Sequence, residues 1–311
     1  MAADPYDAHA VSDPASRAGS RTGSRAVGNP FGVWEAAFGL VVGFLLAILA
    51  MSAYSGLSHG HPNQIGTDIA DFVGLWTGFL GAAVVASRTG GLGPGQSRAR
   101  SSQARSLPPP ARERERERER VRSEDGRPPA ATAQPGSAVR HGSFVDDYGL
   151  RFRWRDVPLG IAIGVGAQYL LVPFLELPLQ PFVHNLNAKL SHPAQQLLSP
   201  VQYNTASLVI LAVLVCVGSP LVEEIFFRGL LLRGLLGRFE HLGPRAGPAL
   251  SIVITGIVFG LVHFEALQFF GLAGFGMLLA YVAYRTGRLG PTILAHVAFN
   301  TTTIIAFVLQ H

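Results

Sequence analysis

Three observations predict an all-α fold, a polytopic bundle of transmembrane helices. The 311-residue chain is 48% hydrophobic and only 14% charged, whereas soluble domains carry about 25% charged residues. Most charges are crowded into a few polar stretches, chiefly 88–150. Between them run segments of about 20 residues almost free of charge, the length that crosses a hydrocarbon core of roughly 30 Å at 1.5 Å per residue.

The elements follow in order. Residues 1–30 are polar and rich in Ala, Ser, Gly and Arg, and read as a disordered cytoplasmic tail. They lack the apolar stretch that follows the charged start of a signal peptide. Region 31–87 holds two spanning helices, near 34–54 and 69–87. Their connection contains His59 and His61, read as solvated loop residues rather than metal ligands. Region 88–155 is expected to be a disordered Arg- and Pro-rich cytoplasmic linker, with four Arg-Glu repeats from Arg112 through Glu119. It has too little apolar surface to offset its ordering entropy.

A transmembrane domain fills 156–311. It opens with a span near 157–175 and a surface helix ending about 199. Apolar runs at 203–219 and 221–238 meet at Pro220, and further runs cover 249–263, 266–284 and 290–309. This makes seven crossings if 203–238 is one kinked helix, and eight if its second half crosses separately. The arginines favour seven. Arg17, Arg21 and Arg25 precede the first helix, and Arg233, Arg238, Arg245, Arg285 and Arg288 lie in later loops or helix ends. The alternate loops, 55–68 and 176–202, hold only Lys189, the one lysine of the chain. Seven crossings with a cytoplasmic N-terminus put every arginine-rich loop inside. The net charge of +5 is then a signature of topology, not of nucleic-acid binding. Cys216, the single cysteine, excludes a disulfide framework and a cysteine-based metal site.

Ionisable residues inside apolar runs are costly and point to function. Glu223 and Glu224 lie within VCVGSPLVEEIFFRGLLL, His263 within SIVITGIVFGLVHF and His296 within TILAHVAFNTTTII. Adjacent helical residues point about 100° apart, so the two glutamates serve different roles. Glu224 and Arg228, at i,i+4, can form an ion pair. Glu223 is left on another face without a local partner, suited to accept a proton as a general base. Phe259 and His263 share a helix face, as do His296 and Asn300; an imidazole beside an amide offers two donors that could stabilise an oxyanion. Each residue alone fits a structural role. Three such groups within about 80 residues make separate structural explanations uneconomical.

The ordered set Glu223-Glu224-x-x-x-Arg228, Phe259-x-x-x-His263 and His296-x-x-x-Asn300 resembles the CPBP family. These are the CAAX-processing and bacteriocin-processing membrane endopeptidases, also called the Abi family, which includes the Rce1-type prenyl-protein proteases. The resemblance covers about 200–305. It implies an intramembrane protease with a chamber open toward the cytoplasm. Carried over, Glu223 activates water, His263 orients it, and His296 with Asn300 form the oxyanion hole, while Glu224, Arg228 and Phe259 support the site. No cofactor is favoured: zinc is conceivable on Glu223, His263 and His296, but there is no HExxH and the partner of His296 is an amide. Expected partners are membrane lipids and a peptide or membrane-protein substrate, with no nucleic acid. Two other readings compete, a non-catalytic immunity or regulatory membrane protein and a proton-coupled transporter. No inverted repeat supports the latter. Neither a GxSG motif nor paired intramembrane aspartates mark another protease class.

Overall fold

The computed structural model describes residues 32–89, 144–200 and 204–310. The described residues are helical and contain no strand. Seven helices are long and apolar enough to cross a membrane: α1 (Val33–Leu57), α2 (Gln64–Arg88), α4 (Asp156–Leu179), α6 (Thr205–Arg238), α7 (Glu240–Leu261), α8 (Phe269–Thr286) and α9 (Gly290–Leu309). Two shorter helices complete the set, α3 (Phe144–Tyr148) and α5 (Leu186–Leu198). The stretch 205–238 is one helix, so the seven-span count is the one observed. The 1–30 tail and the Arg-Glu repeats lie outside the described residues.

Small residues let these helices approach closely, as in other membrane bundles. On α1, Ala36, Gly39, Gly43 and Ala47 form a buried stripe that meets α2. A Cβ on Gly39 would come within 2.5 Å of the Ala82 methyl, and one on Gly78 within 2.3 Å of Gly43 Cα. Helices α4 and α9 run parallel through Gly160 against Leu294 and Gly164 against Ala295 and Ala298. The α7–α8 hairpin closes through Gly256 and Gly276.

Helices α4 and α6 are interrupted, for one shared reason. Each carries a π-helical turn just before a proline: Ala167–Leu171 before Pro173 and Leu214–Gly218 before Pro220. Proline lacks an N–H and collides with the carbonyl four residues earlier, so the helix widens there. A second π-helical stretch, Glu224–Leu231, follows in α6 and is buried throughout.

The last part of the expected linker, 144–155, is packed against the bundle. The Tyr148 side chain is fully buried and its hydroxyl donates to the Ala83 carbonyl at 2.6 Å. Arg233 donates to the Tyr148 carbonyl at 2.9 Å and to that of Asp147. Arg288 grips Asp156 with both guanidinium nitrogens, at 2.7 and 3.1 Å. A polar segment is thus ordered by one aromatic anchor and arginines that satisfy its carbonyls. Burial, with Asp147 adding to it, pushes the Tyr148 phenol well above the usual tyrosine range.

Candidate active site

The kink of α6 and the N-terminal half of α9 build the site. Glu224 and Arg228 are wholly inaccessible and pair at 2.8 Å. Hydrogen bonds to its remaining atoms help to offset the desolvation of a buried ion pair. Here a second Arg228 nitrogen donates to the Gly276 carbonyl at 3.2 Å, while Arg228 Nε and Glu224 Oε2 stay buried without a hydrogen bond. The guanidinium also lies 4.5 Å from the centre of the Phe259 ring, a cation–π contact. From α9, His296 Nδ1 donates to the same Glu224 oxygen at 2.9 Å. Glu224 is therefore a hub between Arg228 and His296, not a local partner of Arg228 alone.

Glu223 points elsewhere. It is half-buried, and its Oε1 accepts a hydrogen bond from the Ser219 hydroxyl one turn earlier. That partner corrects the expectation of a glutamate with none nearby. The i,i−4 spacing of Ser219 was the available signal. The other oxygen, Oε2, is buried without a hydrogen bond and faces His296 Nε2 at 4.0 Å.

Asn300 donates to the Val215 carbonyl at 2.8 Å. The backbone explains why. In the π-helical turn, Ser219 N–H bonds to the Leu214 carbonyl, five residues back. The same register would give Val215 a bond from residue 220, which is proline and has no N–H. Asn300 supplies the missing donor. Its amide keeps a second N–H.

His263 sits just past the end of α7 and is joined to the cluster through an aromatic ring. Its Nδ1 donates to the Phe259 carbonyl at 2.7 Å, which leaves Nε2 as an acceptor. The Phe259 ring lies 4.7 Å from the His263 ring and 5.6 Å from that of His296. No hydrogen bond links His263 to Glu223. Phe275 adds an edge contact to His296 at 5.5 Å. Neither Phe275 nor Ser219 carried a motif that pointed to the site.

Residues 205–302 match the model of the family described as Rce1-like, type II CAAX prenyl endopeptidase. In this part the chain is similar to the Rce1-like family. The match starts at the first residue of α6 and ends two residues past Asn300, so it contains all three motifs and leaves α1 to α5 outside. No curated protein and no solved structure matches the chain. The chain is a multi-pass membrane protein, and its Rce1-like domain supports a protease.

Both imidazole Nδ1 atoms and Glu224 are engaged within the protein, and only Glu223 Oε2 and His296 Nε2 face each other. Among the described residues no three His, Cys, Asp or Glu side chains converge as metal ligands, whereas zinc takes at least three protein ligands.

Proposed function

We propose that the Rce1-like domain is an intramembrane endopeptidase that hydrolyses membrane-associated or lipidated peptides, with Glu223 as the base. The observation that carries this reading is the Glu223 oxygen that has no hydrogen bond and faces His296 Nε2 beside the buried Glu224–Arg228 pair. In the proposed reaction, Glu223 takes a proton from water while the water oxygen attacks the peptide carbonyl. His263, with Nε2 as acceptor, orients that water. The oxyanion receives hydrogen bonds from His296 Nε2–H and from the second Asn300 N–H. His296 already donates from Nδ1, so it donates from Nε2 as well only as the imidazolium. Two carboxylates, Arg228 and an imidazolium sum to zero charge, which suits a low-dielectric site. Glu223 then passes its proton to the leaving amine. The reaction is proposed to need no metal, and chelation should leave it unchanged.

The orientation proposed with it places the N-terminus and the 90–143 insert in the cytoplasm, as the arginine distribution favours. A second, non-catalytic reading has its own support, because Glu224, Arg228, His296 and Asn300 all have internal partners that a mere scaffold would need. One comparison separates the two. Cells expressing the wild type or Glu223→Ala at matched membrane levels are profiled for new peptide termini. Termini present only with the wild type support proteolysis. Identical profiles alongside a wild-type phenotype favour the scaffold.

A further inference from the structure

A second polar feature lies beside this site, and neither the motifs nor the family match includes its central residue. A cavity of about 310 Å³, partly open, is lined by α4, α5, the start of α8 and the C-terminal half of α9. Its wall carries Glu176, which is only 7% exposed. Glu176 makes no hydrogen bond or ion pair with any described residue. Its carboxylate rests against Gly271, where a Cβ would come within 2.8 Å of Oε1. The side-chain oxygen of Gln168, in the same wall, is also buried and unpartnered. No cation lines the cavity among the described residues. The lining also has apolar side chains, Leu272, Phe299 and Phe307, among neutral polar ones such as Asn187, Ser191 and Gln195.

A buried carboxylate without a partner is costly. A lipid tail would leave it so. An alkyl chain ending in an ammonium or guanidinium would satisfy Glu176 and Gln168 and lay its methylenes on the apolar side chains. The cavity also adjoins the reaction site. Phe299 stacks on Phe275 at 4.0 Å, and the Phe275 edge touches His296. From His296 to Thr303, at the cavity wall, seven residues of α9 rise roughly 10 Å, about the reach of three extended peptide residues.

We propose that this cavity receives a lysine or arginine side chain of the peptide substrate, about three residues from the bond that is cut, with Glu176 as its counter-ion. The proposal rests on the endopeptidase reading above. On the orientation proposed there, the substrate extends from the site toward the face opposite the arginine-rich loops.

The test uses the full chain reconstituted in lipid vesicles, with peptides built on a terminus found by the profiling above. Each position flanking the cut is varied as Lys, norleucine or Glu. The expected result is one position at which Lys exceeds norleucine by about tenfold or more in kcat/KM, the scale of a hydrogen-bonded charge. Glu176→Gln should abolish that preference while norleucine peptides are still cut. Ala194→Phe, which fills the cavity from α5, should do the same without touching the carboxylate. An independent arm needs no catalysis: butylammonium should raise the thermal midpoint of the wild type saturably and that of Glu176→Gln not at all. It should also compete with cleavage of the Lys peptide. Equal cleavage of Lys and norleucine peptides, a preference that survives Glu176→Gln, or an amine that binds without competing would each overturn the proposal. If no peptide is cut by the wild type, the endopeptidase reading fails, and the substrate pocket with it. The amine arm then reports whether the cavity holds a free cation instead.

Discussion

Helices α4 and α6 use the same backbone device to opposite ends. Each breaks into a π-helical turn ahead of a proline, and each carries a buried glutamate a few residues beyond it. In α6 protein groups answer the break: Asn300 fills the Val215 carbonyl, and one Glu224 oxygen is gripped by Arg228 and His296. In α4 no neighbour answers among the described residues: Glu176 and the Gln168 side-chain oxygen both line a cavity without partners there. The contrast separates a buried glutamate held by a cation within the fold from one that has none among the described residues.

Breaking the α6 pair should cost most. Arg228→Leu leaves Glu224 buried without its cation, and should destabilise by about 3–5 kcal/mol, read as a lowered denaturant midpoint in detergent. Arg228→Lys should recover only part of that, because a point ammonium cannot serve Glu224 and the Gly276 carbonyl as a planar fork does.

Next in size is the Asn300 contact. Asn300→Leu orphans the Val215 carbonyl, at about 1–3 kcal/mol. The account is sharpened by a second change. In a Pro220→Ala background residue 220 regains an N–H, so the cost of Asn300→Leu should shrink. An undiminished cost would detach Asn300 from the proline.

Tyr148 is a control outside both helices. Tyr148→Phe removes the bond to Ala83 and should cost about 1 kcal/mol. Its raised phenol also sets a pH dependence. The folded state holds the proton after the unfolded chain has lost it, so stability is intact below the unfolded value of about 10 and falls above it. The variant should lose that alkaline slope in thermal melts.

The smallest stability effect is expected in α4. Glu176→Gln breaks no internal bond and should shift stability by less than about 0.5 kcal/mol. A large loss would mean that Glu176 has a structural partner after all, and the contrast with α6 would collapse.

The sequence was most informative where the physics is local. The spans followed from apolar length, their number from the arginine distribution, and the Glu224–Arg228 pair from i,i+4 spacing. What escaped depends on backbone register or on distant neighbours. Pro173 and Pro220 were visible, but the π-helical turns ahead of them, and hence the demand on Asn300, require knowing which carbonyl loses its donor. Glu176 lies at the end of an apolar run and carries no motif; it is the packing of α5 and α8 against it that buries it. The stretch 144–155 read as linker because its composition is polar, and its order rests on contacts with α2, α6 and the α8–α9 turn. His263 joined the site through Phe259, as their shared helix face suggested.

The most direct test of the central claim is a single turnover in ¹⁸O-labelled water, with the reconstituted wild type and Glu223→Gln acting on a peptide found by terminus profiling. Water activated by Glu223 predicts one ¹⁸O in the new carboxylate with the wild type and no cleavage with the variant. Cleavage that survives Glu223→Gln, or a first-turnover product carrying only ¹⁶O from an enzyme carboxylate, would contradict it.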